Sequence, residues 1–373
     1  YQSASFTIDR RPITVTAANA TKTYGDADPV FTYSVTTGSL VGTEILSGSL
    51  TRASGESADT YAITQGTLTN ASNANYDITF VNGTLTIDEK AITVTADAKT
   101  KVYGAADPTF TWSVTSGLLE SGDALTGLLS RESGSNVGTY PITIGNLANA
   151  NYDITLVPAN LTITAKPITV TADDKVITFG DSDPTFTFSV AAGALVGSDT
   201  LTGSLTRASG TNAGTYAITQ GTVTSASNAN YTITYAPGTL TIDKATQSPV
   251  TLTSTTATYG SALSLTSSGG SGDGAVSFSV TDAGTAGCSI SGSSLSTTGG
   301  TGTTCSITVA KAEGTNHLAR SSSATTVTVG RLAVTVTAAS KTKVYGEADP
   351  ALTYTVTAGA LVNGDVLSGA LAR

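Results

Sequence analysis

Methionine is absent from the 373 residues, tryptophan and histidine occur once each, and cysteine occurs twice. Charged residues are 12% of the chain, about half the usual share. These shortages exclude several classes. A coiled coil draws roughly half its residues from Ala, Glu, Lys, Leu and Arg. One histidine removes most catalytic triads and histidine-rich metal centres. No apolar run approaches the ~18 residues of a membrane helix. Lys and Arg number 18 against 27 Asp and Glu, a net charge of −9, the wrong sign for a nucleic-acid partner. Residues 1–10 have neither a basic start nor an apolar run, so they do not read as a signal peptide.

What is abundant is threonine, about a fifth of the chain and far above ordinary usage, together with 39 glycines. The threonines recur in a repeat. An aromatic-glycine pair falls at Tyr24-Gly25, Tyr103-Gly104, Phe179-Gly180 and Tyr345-Gly346. From that aromatic to an arginine is 28 residues each time, at Arg52, Arg131, Arg207 and Arg373. From it to a later tyrosine is 37 residues, at Tyr61, Tyr140 and Tyr216. A second tyrosine (Tyr76, Tyr152, Tyr231) lies 11 residues before an isoleucine. Only the stretch between these two tyrosines varies, as 15, 12 and 15 residues. A length change confined to one place marks a loop, because one residue inserted in a strand flips its faces.

The pieces read as strands. Ile13-Thr14-Val15-Thr16 alternates apolar and polar residues, as do Phe31–Val35, Phe110–Val114 and Phe186–Val190, the pattern of half-buried strands. Leu46–Arg52, Tyr61–Thr64, Tyr76–Val81 and Thr84–Asp88 complete the set. No window has helical period; at most a helical turn is expected near Val41–Leu46. Threonine on the outer face is stiff at χ1 and favours strands without a greasy surface. Each repeat of about 80 residues can hold its own small core, and the very short linkers favour a stiff rod over loose beads. Tyr61, Tyr140 and Tyr216 fit the tyrosine corner of immunoglobulin-like sandwiches, where the hydroxyl returns to backbone a few residues upstream. The alternative is an ordinary strand tyrosine in a hairpin.

Residues 245–330 keep the frame but are richer in Gly and Ser, and they hold both cysteines. Cys288 and Cys305 are 17 apart, and a lone pair in an otherwise cysteine-free chain of extracellular character is expected to form a disulfide. Two cysteines with a remote His317 do not make a metal site.

The I-T-V-T-A segments at 13–17, 92–96 and 168–172, with V-T-V-T-A at 334–338, continue into Tyr-Gly-x-x-Asp-Pro at 24–29, 103–108 and 345–350. With the N-Y-x-I-T and T-L-T-I strands, this repeat resembles the MBG domain (YGX type, also called YDG) of large bacterial surface proteins. Phe179 departs conservatively from the tyrosine. The resemblance spans roughly 1–244 and 331–373, while 245–330 resembles another bacterial Ig-like repeat, one that often carries a cysteine pair. It implies an all-β chain of tandem Ig-like β-sandwich, or β-grasp-like, domains in an extended rod. It further implies the stalk of a secreted adhesin, filamentous-haemagglutinin-like proteins included, at the bacterial cell surface, and it supplies no catalytic residues.

The expected order is a last strand of a preceding repeat at 1–10, MBG repeats at 11–89, 90–164 and 165–244, an Ig-like repeat at 245–330, and the first half of another MBG repeat at 331–373. Phe6-Thr7-Ile8-Asp9 matches Leu85-Thr86-Ile87-Asp88, so both ends read as cut within domains. A fragment of a longer array is one explanation; complementation between identical chains in a fibre is the other. Expected partners are therefore neighbouring repeats, with a host or matrix glycan or protein as the alternative, and no nucleic acid.

Chemistry is sparse. Asp26/Asp28, Asp181/Asp183 and Glu347/Asp349 suggest calcium at repeat junctions, since carboxylates two apart on a loop can share a hard cation; Ala105 breaks the pattern in the second repeat. The plainer reading is an Asp-Pro turn. A glycosidase pair is disfavoured because active sites are singular and these are repeated. His317 reads as loop packing. The run Ser268–Gly274 lacks the lysine and helix of a phosphate cradle. Gln65 and Gln220 could enter intramolecular ester or isopeptide bonds of the kind found in some surface rods, but do not recur in every copy. Tyr33, Trp112, Phe188 and Tyr354 share one position where a ring could stack on sugar, though their phase with Phe and Val favours core. No enzymatic activity is expected.

Overall fold

The computed structural model describes residues 2–373. Every regular element among them is a strand, and no helix is long and apolar enough to cross a membrane. The first repeat sets the pattern with seven strands: β1 (Arg11–Ala17), β2 (Ala20–Thr23), β3 (Tyr33–Thr37), β4 (Thr51–Arg52), β5 (Thr60–Thr64), β6 (Tyr76–Val81) and β7 (Gly83–Asp88). They form a three-stranded sheet, β3-β1-β6, and a four-stranded sheet, β2-β7-β5-β4. β1 runs antiparallel to β3 but parallel to β6, with Ile13 opposite Ile78. Alternation puts Ile13, Val15 and Ala17 of β1 inside, where they meet Ile63 of β5 and Leu85 and Ile87 of β7 in one core. The threonines between them face outward, and Thr16 bonds Thr36 across the ladder.

Ala18-Asn19 is the corner where the chain leaves one sheet for the other. The Asn19 side chain accepts from the Thr84 amide at 2.9 Å, and β2 then pairs parallel with β7. β2 lies outside the strands expected from sequence, because Ala20–Thr23 has no apolar alternation of its own. Two other strands are shorter than their alternation implies. The ladder begins at Tyr33 rather than Phe31, and of Leu46–Arg52 only Thr51 and Arg52 are strand. Leu46 and Leu50 are buried as expected. Between them, however, Gly48 turns with φ of +115°, and a Cβ there would meet the Thr67 carbonyl. The backbone is satisfied sideways instead: the Ser47 amide donates to Asn73 Oδ1 and the Thr67 amide to the Ser49 carbonyl. Val41–Leu46 contains a hydrogen-bonded turn, from the Glu44 amide to the Val41 carbonyl.

The described residues fall into two compact units. One holds the first two repeats with Leu195–Asp199 and Asn228–Thr232 of the third. Its second repeat copies both sheets, with Tyr152 opposite Lys90 and Ile154 opposite Ile92 in parallel pairing. The other unit holds the remainder of the third repeat and everything after it. There Phe188–Ala192 pairs antiparallel with Lys166–Ala172, and Ile218, Leu240 and Ile242 are buried. In the fourth repeat Thr304–Lys311 lies centrally between Val276–Asp282 and Thr325–Gly330, and Thr256–Thr258 again pairs parallel with the last strand. Cys288 and Cys305 form a disulfide lying in the hydrophobic core. Closing a loop of that size contributes about 3 kcal/mol in the chain-entropy model. Beyond it, Thr335–Ala338 pairs with Tyr354–Ala358 in a two-stranded sheet. Each of the first three repeats pairs a three-stranded sheet with a four-stranded one and has no helix to lie across either, so these repeats are two-sheet sandwiches rather than grasp-type domains.

Candidate functional site at the repeat junctions

One residue, Glu89, separates the last strand of the first repeat from the first strand of the second; Ala165 does the same one repeat later. Across this short passage the aromatic-glycine pair acts as a plug. Tyr24 packs against the cores of both its own repeat and the next. Its ring meets Tyr152 edge-on at 5.5 Å, and its hydroxyl donates to Asp123 at 2.9 Å. Tyr152 donates to the same Asp123 oxygen at 2.6 Å and accepts from the Glu120 amide at 2.7 Å. The arrangement recurs one repeat on. Tyr103 meets Tyr231 at 5.5 Å and donates to Asp199, which also accepts from Tyr231.

The glycine of the pair has a steric reason. Gly25 and Gly104 have φ of +88° and +81°, and a Cβ would fall 2.5 Å from Glu120 and 2.4 Å from Val196 respectively. Beside the plug an asparagine fastens backbone to backbone. Asn151 Oδ1 accepts from the Ala58 amide, and the Asn151 carbonyl from the Lys90 amide. Asn230 does the same for Val137 and Lys166.

The electrostatics follow. Burial first, then the hydrogen bond to the acidic acceptor, pushes the Tyr152 and Tyr231 phenols up to about 12. The Tyr24 and Tyr103 phenols are raised chiefly by those same acceptors, Asp123 and Asp199. Donation by Tyr231, then by Tyr103, holds the Asp199 carboxyl below its ordinary range.

The third junction keeps the frame and changes the side chains. Asn316 Oδ1 accepts from the Ala213 amide, and the Asn316 carbonyl from the Ala245 amide. Phe179, which has no hydroxyl, meets His317 edge-on at 5.5 Å. So His317 packs, as expected of a loop residue, but in the place of Tyr152 and Tyr231.

The second aspartate of each pair proposed for calcium is engaged by a cation. Asp28 faces Lys22 at 2.8 Å and Arg52 at 2.6 Å, and its carboxyl is held low, by Arg52 first and Lys22 second. Asp183 pairs with Arg207, and Asp349 with Lys343 and Arg373. Asp107, in the copy where Ala105 broke the carboxylate pair, makes the same clamp with Lys101 and Arg131. Their neighbours do other things: Asp181 accepts from the Thr178 amide, and the Asp26 amide closes a turn onto Thr23. No group of three or more His, Cys, Asp or Glu able to hold a metal gathers among the described residues. Asp28, Asp107, Asp183 and Asp349 are therefore ion-pair partners within a repeat, each with an arginine and three of them with a lysine as well.

The same arginines complete the tyrosine corner. Arg52, Arg131 and Arg207 lie over the rings of Tyr61, Tyr140 and Tyr216 at 5.4, 5.3 and 5.3 Å. Those tyrosines donate to the carbonyls of Ser57, Asn136 and Asn212, four residues upstream. Gly55, Gly134 and Gly210 have φ between +140° and +148°, and a Cβ would lie 2.0–2.2 Å from the ring. Among the other sequence candidates, Tyr33, Trp112 and Phe188 pack on their cores, whereas Tyr354 is 40% exposed. The Gln65 and Gln220 amides donate to turn carbonyls.

Fold and junctions together define tandem β-sandwiches, with a tyrosine plug at the first two junctions and a phenylalanine–histidine contact at the third. The MBG domain (YGX type) model matches residues 13–86, 92–162, 168–241 and 334–373, and the chain belongs to that family. No curated protein matches it. Among solved structures it is similar to Drosophila N-cadherin EC1-4, at 8% identity over 74% of this chain and 83% of that one, TM-score 0.25. It is also similar to Sidekick-1 immunoglobulin domains 1–5, at 11% over 88% and 80%, TM-score 0.19. A third is the S-layer protein rSbsC, at 13% over 92% and 62%, TM-score 0.18. At such TM-scores the likeness carries no argument.

Proposed function

We propose that this chain is a non-catalytic stalk or filament-shaft segment of a large secreted bacterial surface adhesin, spacing or linking its adhesive parts. One observation carries the reading: Tyr24, half-buried, packs against two hydrophobic cores at once and is hydrogen-bonded to Asp123 of the next repeat. A linker of one residue with a half-buried aromatic packed on both cores and fixed backbone bonds resists bending, and resistance to bending is what a spacer needs. The acidic surface keeps such an array soluble and apart from its neighbours. Family membership supports the reading, since MBG repeats are typical of surface proteins. Small-angle scattering and electron microscopy test it. The expected result is an extended particle about 150–200 Å long, from roughly 30–40 Å per sandwich. A compact or freely jointed particle contradicts the stalk.

A further inference from the structure

The fourth repeat lengthens an edge strand that the first three keep short. In those three the edge strand beside the tyrosine-corner strand has two residues and ends on the clamp arginine: Thr51–Arg52, Ser130–Arg131 and Thr206–Arg207. The fourth has Val276–Asp282 in that place, seven residues. Thr304–Lys311 pairs with one side of it, and no strand among the described residues pairs with the other. The phase of the ladder is set by the Ala312 amide, which donates to the Ala275 carbonyl at 2.8 Å. Alternation then turns the N–H and C=O groups of Val276, Phe278 and Val280 away from the ladder. An open depression of about 710 Å³ runs along that strand, lined by Val276, Phe278, Val280, Ile290 and Gly292 among others. An unpaired edge is a template for another strand, and proteins usually guard it with lysine, proline or a bulge. Here no lysine or proline stands between Gly274 and Thr281, and the bulge comes only after Val280.

We infer that the Val276–Val280 edge is a pairing site for the same strand of a second copy of this chain, the two running antiparallel about a two-fold axis. The occupant follows from the strand's own sequence. Val276-Ser277-Phe278-Ser279-Val280 reads the same in both directions. Centred on Phe278, the pairing sets Val276 opposite Val280, Ser277 opposite Ser279, and Phe278 opposite itself. The three outward-turned residues are then the ones whose pairs exchange both hydrogen bonds. Valine meets valine and ring meets ring on one face, and serine meets serine on the other, the matched cross-strand pairs that hold a sheet together. Charge fits as well: Asp273 and Asp282 fall outside the paired window, opposite Ala283 and Gly274, so no like charges oppose each other. A contact that uses the same surface on both partners closes on itself, so association stops at two copies. One short strand from each partner buries less than a standard interface, and such contacts are weak. The dissociation constant expected is on the order of 0.1–1 mM.

The test is sedimentation of the full chain from about 0.02 to 2 mM, an interval bracketing that constant. Wild type is expected to pass from monomer to dimer and no further. Ser277 and Ser279 are exposed, so charges placed there leave the fold and its circular dichroism intact. Ser277→Lys combined with Ser279→Lys sets lysine against lysine across the axis and is expected to weaken dimerisation about tenfold or more. Ser277→Glu combined with Ser279→Glu is expected to do the same. Mixed in equal amounts, the two double variants should pair again, because lysine then faces glutamate. Wild type that stays monomeric throughout overturns the inference. So do dimers that neither double variant weakens, growth beyond the dimer, or a mixture that fails to pair.

Discussion

The first and third junctions of this chain have the same backbone and different side chains. In both, an asparagine accepts a loop amide from the preceding repeat on its side chain and an amide at the start of its own repeat on its carbonyl: Asn151 from Ala58 and Lys90, Asn316 from Ala213 and Ala245. In the first, two tyrosines share an aspartate. In the third, Phe179 meets His317 with neither hydroxyl. The asparagine bonds therefore set the docking of one repeat on the next, and the phenol–carboxylate bonds are an added strength that a copy can lack.

The largest effect should come from the shared part. Asn151→Ala and Asn316→Ala each leave a junction amide without its partner, costing about 1–3 kcal/mol. Hydrogen exchange at Ala58 in the first variant and Ala213 in the second should quicken by similar factors. Unequal losses would break the equivalence of the two frames. Next comes the side-chain difference. Tyr24→Phe should weaken the first junction by about 1.5 kcal/mol, the lower value for a bond to a charged group. Phe179→Tyr should give the third no matching gain, because its ring meets a histidine rather than a tyrosine-aspartate pair. A gain of similar size would show the acid to be dispensable.

pH sharpens the contrast without mutation. Tyr152 and Tyr231 have folded-state values of about 12 against roughly 10 in an unfolded chain. A raised value means that the stabilisation is complete below about pH 10 and is lost as pH rises toward 12. Dye pairs across the first and second junctions should show broadening in that window, and a pair across the third should not. The carboxyl side has the opposite sign. Asp199, Asp28 and Asp107 are held low, so their contribution is present above about pH 4 and is lost as pH falls below it. The smallest effect expected is in the clamp. The third repeat has Ile177 where the second has Lys101, and Lys101→Ile should cost under about 1 kcal/mol, the usual value of a partly exposed pair. A larger loss in thermal melting would mean that Asp107 depends on both cations.

Much of the fold was legible because it is written in short range. Alternation in Ile13–Thr16 marks a strand, and constant spacing from Tyr24 to Arg52 marks repeat length. The cysteine pair and the upstream bond of Tyr61 also belong to local patterns. The plug was not legible in the same way. Tyr24 and Asp123 are 99 residues apart, and their meeting depends on how one sandwich seats on another. A trace was present: an acid stands 20 residues after each aromatic-glycine pair, at Glu44, Asp123, Asp199 and Asp365. The same limit explains the aspartates. Local spacing suggested a cation cage, whereas Arg52 and Lys22 approach Asp28 from strands that only the folded sandwich brings together. β2 was missed because its place is fixed by the Asn19 corner and by pairing with β7, not by its own apolar pattern.

The most direct test of the plug is a double-mutant cycle on Tyr24 and Asp123 in the full chain, with Tyr24→Phe, Asp123→Asn and both together. Hydrogen exchange at the Ala58 amide reads the opening of that junction. A coupling of about 1–2 kcal/mol, inside the roughly 0.5–3 kcal/mol seen for residues in one hydrogen-bond network, is the result predicted. Additive losses would mean that the tyrosine and the aspartate stabilise the chain separately and that the plug does not join the two repeats.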